Sequence, residues 1–103
     1  MARLLLVKTM MASLDTKVSV PDGVMFRDLA GESVLLDIES GRYFGLDEVG
    51  TRMWISLQQH GQIRLAARDL LDEYEVQEGQ LFDDLVKFVH ELTEQRLLRL
   101  SDQ

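Results

Sequence analysis

The sequence predicts an α+β domain in which a small antiparallel sheet of three strands is followed by three helices. Three observations carry this prediction. Short apolar runs separated by tight-turn signals occupy residues 18–46. Apolar residues at three- and four-residue spacing occupy residues 47–95. Between the two, residues 37–54 read as a strand end, a tight turn, a short aromatic strand and a helix start.

The strands come first. Val18-Ser19-Val20 runs into Pro21-Asp22-Gly23, a turn by composition. Residues 24–29 form a second apolar run, closed by the turn signal Ala30-Gly31-Glu32. Residues 33–38 alternate clearly, with Val34, Leu36 and Ile38 on one face and Ser33, Leu35 and Asp37 on the other. Ser40-Gly41 supplies a turn, because glycine accepts the positive φ of a tight hairpin. Tyr43 and Phe44 then suit a pleated, half-buried strand over residues 42–46. Turns this short force antiparallel neighbours. Such a sheet must bury one face, and the helices that follow are its cover.

Asp47 stands where a helix N-cap belongs, and Val49, Met53 and Leu57 form a stripe beside Trp54. This helix runs to about residue 59, with Gly61 as its C-terminal cap. A second helix over about residues 62–74 carries Ile63, Ala66, Ala67, Leu70, Leu71 and Tyr74. A third follows the polar turn at residues 75–78 and ends near Gln95, and residues 97–100 add a last turn or a short strand. The third helix has two apolar stripes, Leu81, Leu85, Phe88 and Leu92, then Phe82, Val86 and Val89. Their arc is wider than the roughly 100° that a simple surface helix needs. Either the stripes face the sheet and the other helices respectively, or part of the second lines a groove for an apolar partner.

The predicted boundaries are a flexible N-terminal arm over residues 1–17 and one folded domain over residues 18–103. The first 14 residues admit three readings: a mobile arm, a short added strand, or an over-long start with Met10 or Met11 as the true first residue. Arg3 and the apolar run at residues 4–7 imitate a signal peptide, but Lys8 cuts the run short.

At 103 residues the chain supports one modest core. An apolar fraction of 46% beside 28% charged residues is that of a globular domain rather than a disordered tail. With no cysteine there are no disulfides, thiolate metal sites or cysteine nucleophiles, which fits a cytoplasmic protein. A net charge of −7 opposes sequence-independent binding to nucleic acid or anionic membrane. No run approaches the roughly 18 apolar residues of a membrane span.

Sheet followed by helix–turn–helix is the order of a winged helix-turn-helix-like module, so DNA binding is the first activity to weigh. Across residues 77–96, however, five carboxylates (Glu78, Asp83, Asp84, Glu91 and Glu94) face two cations, Lys87 and Arg96. A helix of net charge −3 is repelled by phosphate. Catalysis has no better footing. His60 and His90 lie in different helices, with no nucleophile or metal-ligand spacing beside them, and His90 falls on the polar side of its helix as a solvated residue. The glycines form no phosphate loop. No catalytic residue, cofactor or metal is expected, and the chain is read as a non-enzyme.

Recognition remains. The short strand at residues 42–46 is an edge that either accepts an extended peptide or is shielded by Arg42 and its own brevity.

At this point the residues match a known pattern. Residues 36–54 closely resemble the PqqD-like proteins, in the order aspartate, turn, Gly41-Arg42-Tyr43, aromatic Phe44, Leu46, Asp47, Gly50 and Trp54. Residues 70–76 and 81–98, the latter ending Glu94-Gln95-Arg96-Leu97-Leu98, are similar to the C-terminal half of the same family. The resemblance covers about residues 18–100. It implies a RiPP recognition element, a winged-helix-like domain that captures leader peptides of ribosomally made precursors. Trp54 in a small stand-alone chain is most similar to the leader-binding proteins of lasso-peptide pathways. The family also serves pyrroloquinoline quinone and other modification pathways, so a chaperone role in one of those is the alternative, with a winged-helix DNA regulator as the alternative of a different class.

The resemblance further implies strand addition, with the leader held along Arg42, Tyr43, Phe44, Gly45 and Leu46. The groove wall falls on Leu81, Phe82, Leu85, Val86, Phe88 and Val89. The implied partners are a precursor leader peptide and a leader peptidase or other modifying enzyme, with no nucleic acid and no membrane. Proline at Phe44 is expected to weaken peptide capture by removing an edge donor without unfolding the domain.

Overall fold

The computed structural model describes residues 12–101. Its elements are β1 (Lys17–Ser19), β2 (Val24–Leu29), β3 (Glu32–Asp37), β4 (Tyr43–Leu46), α1 (Glu48–His60), α2 (Ile63–Glu73), α3 (Glu78–Glu94) and β5 (Arg99–Ser101). Strands β2, β3 and β4 form the expected antiparallel sheet in that order, and the three helices follow it. The segment at residues 97–100 resolves into β5, which pairs with β1 in a separate two-stranded sheet.

Local chemistry explains the joints. The β2–β3 turn holds Ala30 and Gly31 at φ 58° and 96°, the two successive positive values that match the twist of a two-residue hairpin. The β3–β4 connection is organised by Asp37. Its carboxylate accepts from the Glu39 N–H and the Ser40 hydroxyl, and its carbonyl accepts from the Gly41 N–H. Asp47 caps α1 as expected, accepting the Gly50 N–H at 2.8 Å. Gly61, at φ 69°, ends it by donating to the Leu57 carbonyl.

The inner face of the sheet carries Phe26, Ser33, Leu35, Phe44 and Leu46, so the strand β3 buries its Ser33–Leu35 side and leaves Leu36 and Ile38 partly exposed. Trp54 of α1, 1% exposed, stacks on Phe26 with ring centroids 6.3 Å apart. The buried hydroxyls of Ser33 and Thr51 satisfy each other at 2.7 Å, removing the cost of two lone polar groups beneath the sheet. Leu57, Ile63, Leu70, Leu85, Val89 and Leu92 complete the fully buried centre.

Residues 1–11 of the expected arm lie outside the described residues. Residues 12–17 pack against the helices. The carbonyls of Leu14 and Thr16 accept the N–H groups of Arg64 and Ile63, and Asp15 pairs with Arg64 at 2.9 Å. They cap the first turn of α2, for which Gln62 provides no side-chain cap. His90 differs from its expected solvated state: it is half-buried, and its Nε2 accepts the Ala12 N–H at 3.0 Å.

At the end of α3, Arg96 takes φ 62°. The Leu97 N–H reaches the Leu92 carbonyl and the Arg96 N–H reaches that of Thr93. This is a Schellman closure with arginine where glycine is usual.

Candidate functional site

β4 is an edge strand, bonded on one side to β3 and unpaired on the other among the described residues. Which of its main-chain groups are free follows from the ladder. The Asp37 N–H donates to the Arg42 carbonyl at 2.9 Å, which makes that pair a bonded one. Bonded and non-bonded pairs alternate along antiparallel strands. With Leu35 opposite Phe44 and Ser33 opposite Leu46, those two pairs are bonded and point inward to β3. Tyr43 and Gly45, opposite Leu36 and Val34, turn their N–H and C=O groups to the free edge. The β2–β3 ladder agrees in phase: Ile38 donates to the Gly23 carbonyl, which leaves Asp37 directed at β4.

This corrects the expectation for Phe44. Its N–H belongs to the ladder with β3, so proline there damages the sheet itself. The residues able to meet an added strand are Tyr43 and Gly45, which together offer two donors and two acceptors.

Beside this edge lies an open groove of about 540 Å³ between β4, the start of α1 and the flank of α3. Phe44, Gly45 and Leu46 form one side, Val49, Gly50 and Met53 the floor, and Asp84, Lys87, Phe88 and Glu91 the other side. A smaller apolar recess of about 130 Å³ continues past Val49 and Met53 toward Leu70, Tyr74, Val76 and Leu81. At the opposite end, the Arg42 guanidinium bridges from the start of β4 to Gln95 Oε1 at 2.6 Å.

The predicted wall residues are divided by this arrangement. Phe88 faces the groove and Leu81 the recess. Leu85 and Val89 are fully buried and support the groove from behind. Phe82 and Val86 are half-buried against the core and line neither cavity. On β4, Phe44 points inward toward the groove, Tyr43 is 76% exposed on the outer face, and Leu46 is buried.

Val49, Met53, Asp84, Lys87 and Glu91 join the site although the sequence reading did not place them there. The signal was present in the spacing. Leu81, Asp84, Phe88, Glu91 and Gln95 follow one another at three and four residues, a single helical stripe along the border of the apolar arc. Reading only apolar residues as a wall misses that border.

Two titratable groups on the α1–α2 side are shifted from their ordinary values. Hydrogen bonding to the Glu73 carboxylate holds the Arg52 guanidinium above its ordinary value, and burial followed by the Glu73 charge raises the Tyr74 phenol. Among the described residues no cluster of metal-binding side chains occurs, and no helix is long and apolar enough to cross a membrane.

The family model described as coenzyme PQQ synthesis protein D (PqqD) matches residues 32–98, a span that contains β3, β4 and all three helices. Two solved structures also resemble the chain. TbiB1, in complex with the TbiA(beta) leader peptide, is 32% identical with a TM-score of 0.75, and the match covers 79% of this chain and 94% of TbiB1. A lasso peptide synthetase B1 complexed with the leader peptide is 23% identical with a TM-score of 0.73, covering 81% of this chain and 98% of that one, a likeness of fold. No curated protein matches the chain. The matched span takes in the edge strand and the helix that flank the groove, and the chain belongs to the PqqD family.

Proposed function

We propose that this chain is a RiPP recognition element that binds the leader segment of a ribosomally made precursor by strand addition at β4. It presents the captured precursor to a separate leader peptidase or other modifying enzyme. Tyr43 and Gly45 hold the leader main chain, which supplies affinity with little regard to sequence. Alternate side chains of the added strand enter the groove between Phe44, Val49, Met53 and Phe88, which supplies selectivity. An interface of this kind reaches micromolar to sub-micromolar affinity when a few anchors fill pockets.

The observation that carries the reading is the outward edge at Tyr43 and Gly45, unpaired among the described residues and lying along an open groove. The leader peptide present with TbiB1, the 32% identical relative, supports it. The sequence resemblance around Trp54 favours a lasso-peptide pathway over a pyrroloquinoline quinone one. The chain acts in the cytoplasm, without catalysis of its own. Nucleic-acid recognition is disfavoured by α3, where Lys87 is the sole cation between Glu78 and Glu94.

Fluorescence anisotropy tests the reading, with the labelled TbiA(beta) leader and peptides selected from a random display library as ligands and a random DNA duplex as control. Saturable peptide binding with no DNA binding is expected. Binding to the duplex alone overturns the proposal.

A further inference from the structure

Strand addition needs a free edge and apolar pockets, but the α3 side of the groove carries more than that. Of its four groove-facing side chains, Asp84, Lys87, Phe88 and Glu91, only Phe88 is apolar. Asp84, Lys87 and Glu91 are exposed, and among the described residues none of these three side chains forms a hydrogen bond or an ion pair. Elsewhere exposed carboxylates do find cations, Glu73 with Arg52 and Asp15 with Arg64. Across the groove Asp47 adds a third carboxylate, already engaged by the Gly50 N–H. The groove therefore opposes three carboxylates to one ammonium, inside a protein of net charge −7.

The placement of the Asp84 and Glu91 carboxylates is specific. Asp84 and Glu91 are seven residues apart on one helix, which separates them by about 10.5 Å along its axis. An extended peptide covers that distance in about three residues, and residues two or four apart share its groove-facing side. The long stems of lysine and arginine absorb the difference. Asp84 also borders the apolar recess of Met53, Leu70 and Tyr74, so it lies between two apolar patches.

We infer that Asp84 and Glu91 are specificity determinants that favour leaders carrying lysine or arginine between their apolar anchors and reject acidic ones. The inference rests on the leader-binding reading and narrows its ligand to a class, a cationic amphipathic strand. Its physical basis is charge complementarity, which steers encounter and penalises like-charged competitors more than it adds affinity.

The test pans a library of random twelve-residue peptides against the full chain and against the D84K/E91K variant. Circular dichroism verifies that the variant folds, and a D84N/E91Q variant removes charge without reversing it. The wild-type chain should enrich lysine and arginine two or four residues from an aromatic or aliphatic anchor. D84K/E91K should enrich aspartate and glutamate at the same places, and D84N/E91Q should lose the bias in either direction. A labelled wild-type-selected peptide should bind D84K/E91K about tenfold more weakly at low salt, with the gap narrowing at about 0.5 M salt. Enriched peptides without cationic bias, or the same peptides for all three proteins, overturn this inference while the leader-binding reading stands. No enriched peptide from the folded wild-type chain overturns both.

Discussion

Two joints of the molecule are built in opposite ways. Between α1 and α2 the chain packs closely around a buried centre. Leu57, Ile63 and Leu70 are fully buried there, the Ser56 hydroxyl shares its one hydrogen between the Asp69 carboxylate and the Ala66 carbonyl, and the Arg52 guanidinium forks onto Glu73. Between β4 and α3 it leaves a groove, with Phe44 and Phe88 only half-buried on either side and the Arg42–Gln95 bridge at one end. The reason lies in how α3 is held. Its stripe of Leu81, Leu85, Val89 and Leu92 faces the core, and it packs on α2 rather than on the strand edge. The helix is thus fixed without using the free groups of β4. The closed joint positions the open one, and the proposed peptide capture takes place at the open one.

Substitutions can break or sharpen that comparison. The largest effect is expected at Leu85, which is fully buried beneath the groove. Leu85→Ala should cost about 2–5 kcal/mol in urea unfolding and weaken peptide binding by loosening α3. A cost under about 1 kcal/mol would mean that α3 does not rest on its buried stripe. Next comes Ser56→Ala in the closed joint, which should lower stability by about 1 kcal/mol with peptide affinity unchanged. Altered affinity in a folded Ser56→Ala variant would show that the two joints are coupled. Smallest, and of opposite sign, is Arg96→Gly, expected to raise stability by about 0.5–1 kcal/mol by relieving a left-handed arginine at the end of α3. A drop in thermal midpoint there would show that the arginine side chain contributes more than its backbone costs.

The closed joint was the more legible in the sequence. Asp47 and Gly61 mark the ends of α1 because capping is a local interaction, and the α2 stripe shows the face that it buries. What could not be read depends on contacts distant in sequence. β3 is apolar on both faces, so its inner side is decided by Phe26 and Phe44 on the neighbouring strands rather than by its own alternation. On α3, Phe88 and Val89 are adjacent, and only the position of α2 and the sheet determines that Val89 enters the core while Phe88 turns to the groove. The packing of residues 12–17 rests on carbonyls, which carry no side-chain signature at all. The free edge is the same kind of case. That Tyr43 and Gly45 rather than Phe44 face outward depends on the phase of the ladder set by the Asp37–Arg42 pair.

That phase is the centre of the account, and proline at Gly45 tests it most directly. A Cβ at Gly45 meets nothing within 4 Å, and its N–H points away from β3, so the ring removes one outward donor and leaves the ladder whole. The measurement is a peptide titration of Gly45→Pro beside Phe44→Pro, with thermal unfolding of each. The account predicts a Gly45→Pro protein that unfolds near the wild-type temperature and binds its peptide at least about tenfold more weakly. It predicts a Phe44→Pro protein that is destabilised first, because its lost N–H served the sheet. Wild-type peptide affinity in a folded Gly45→Pro protein would contradict strand addition at β4.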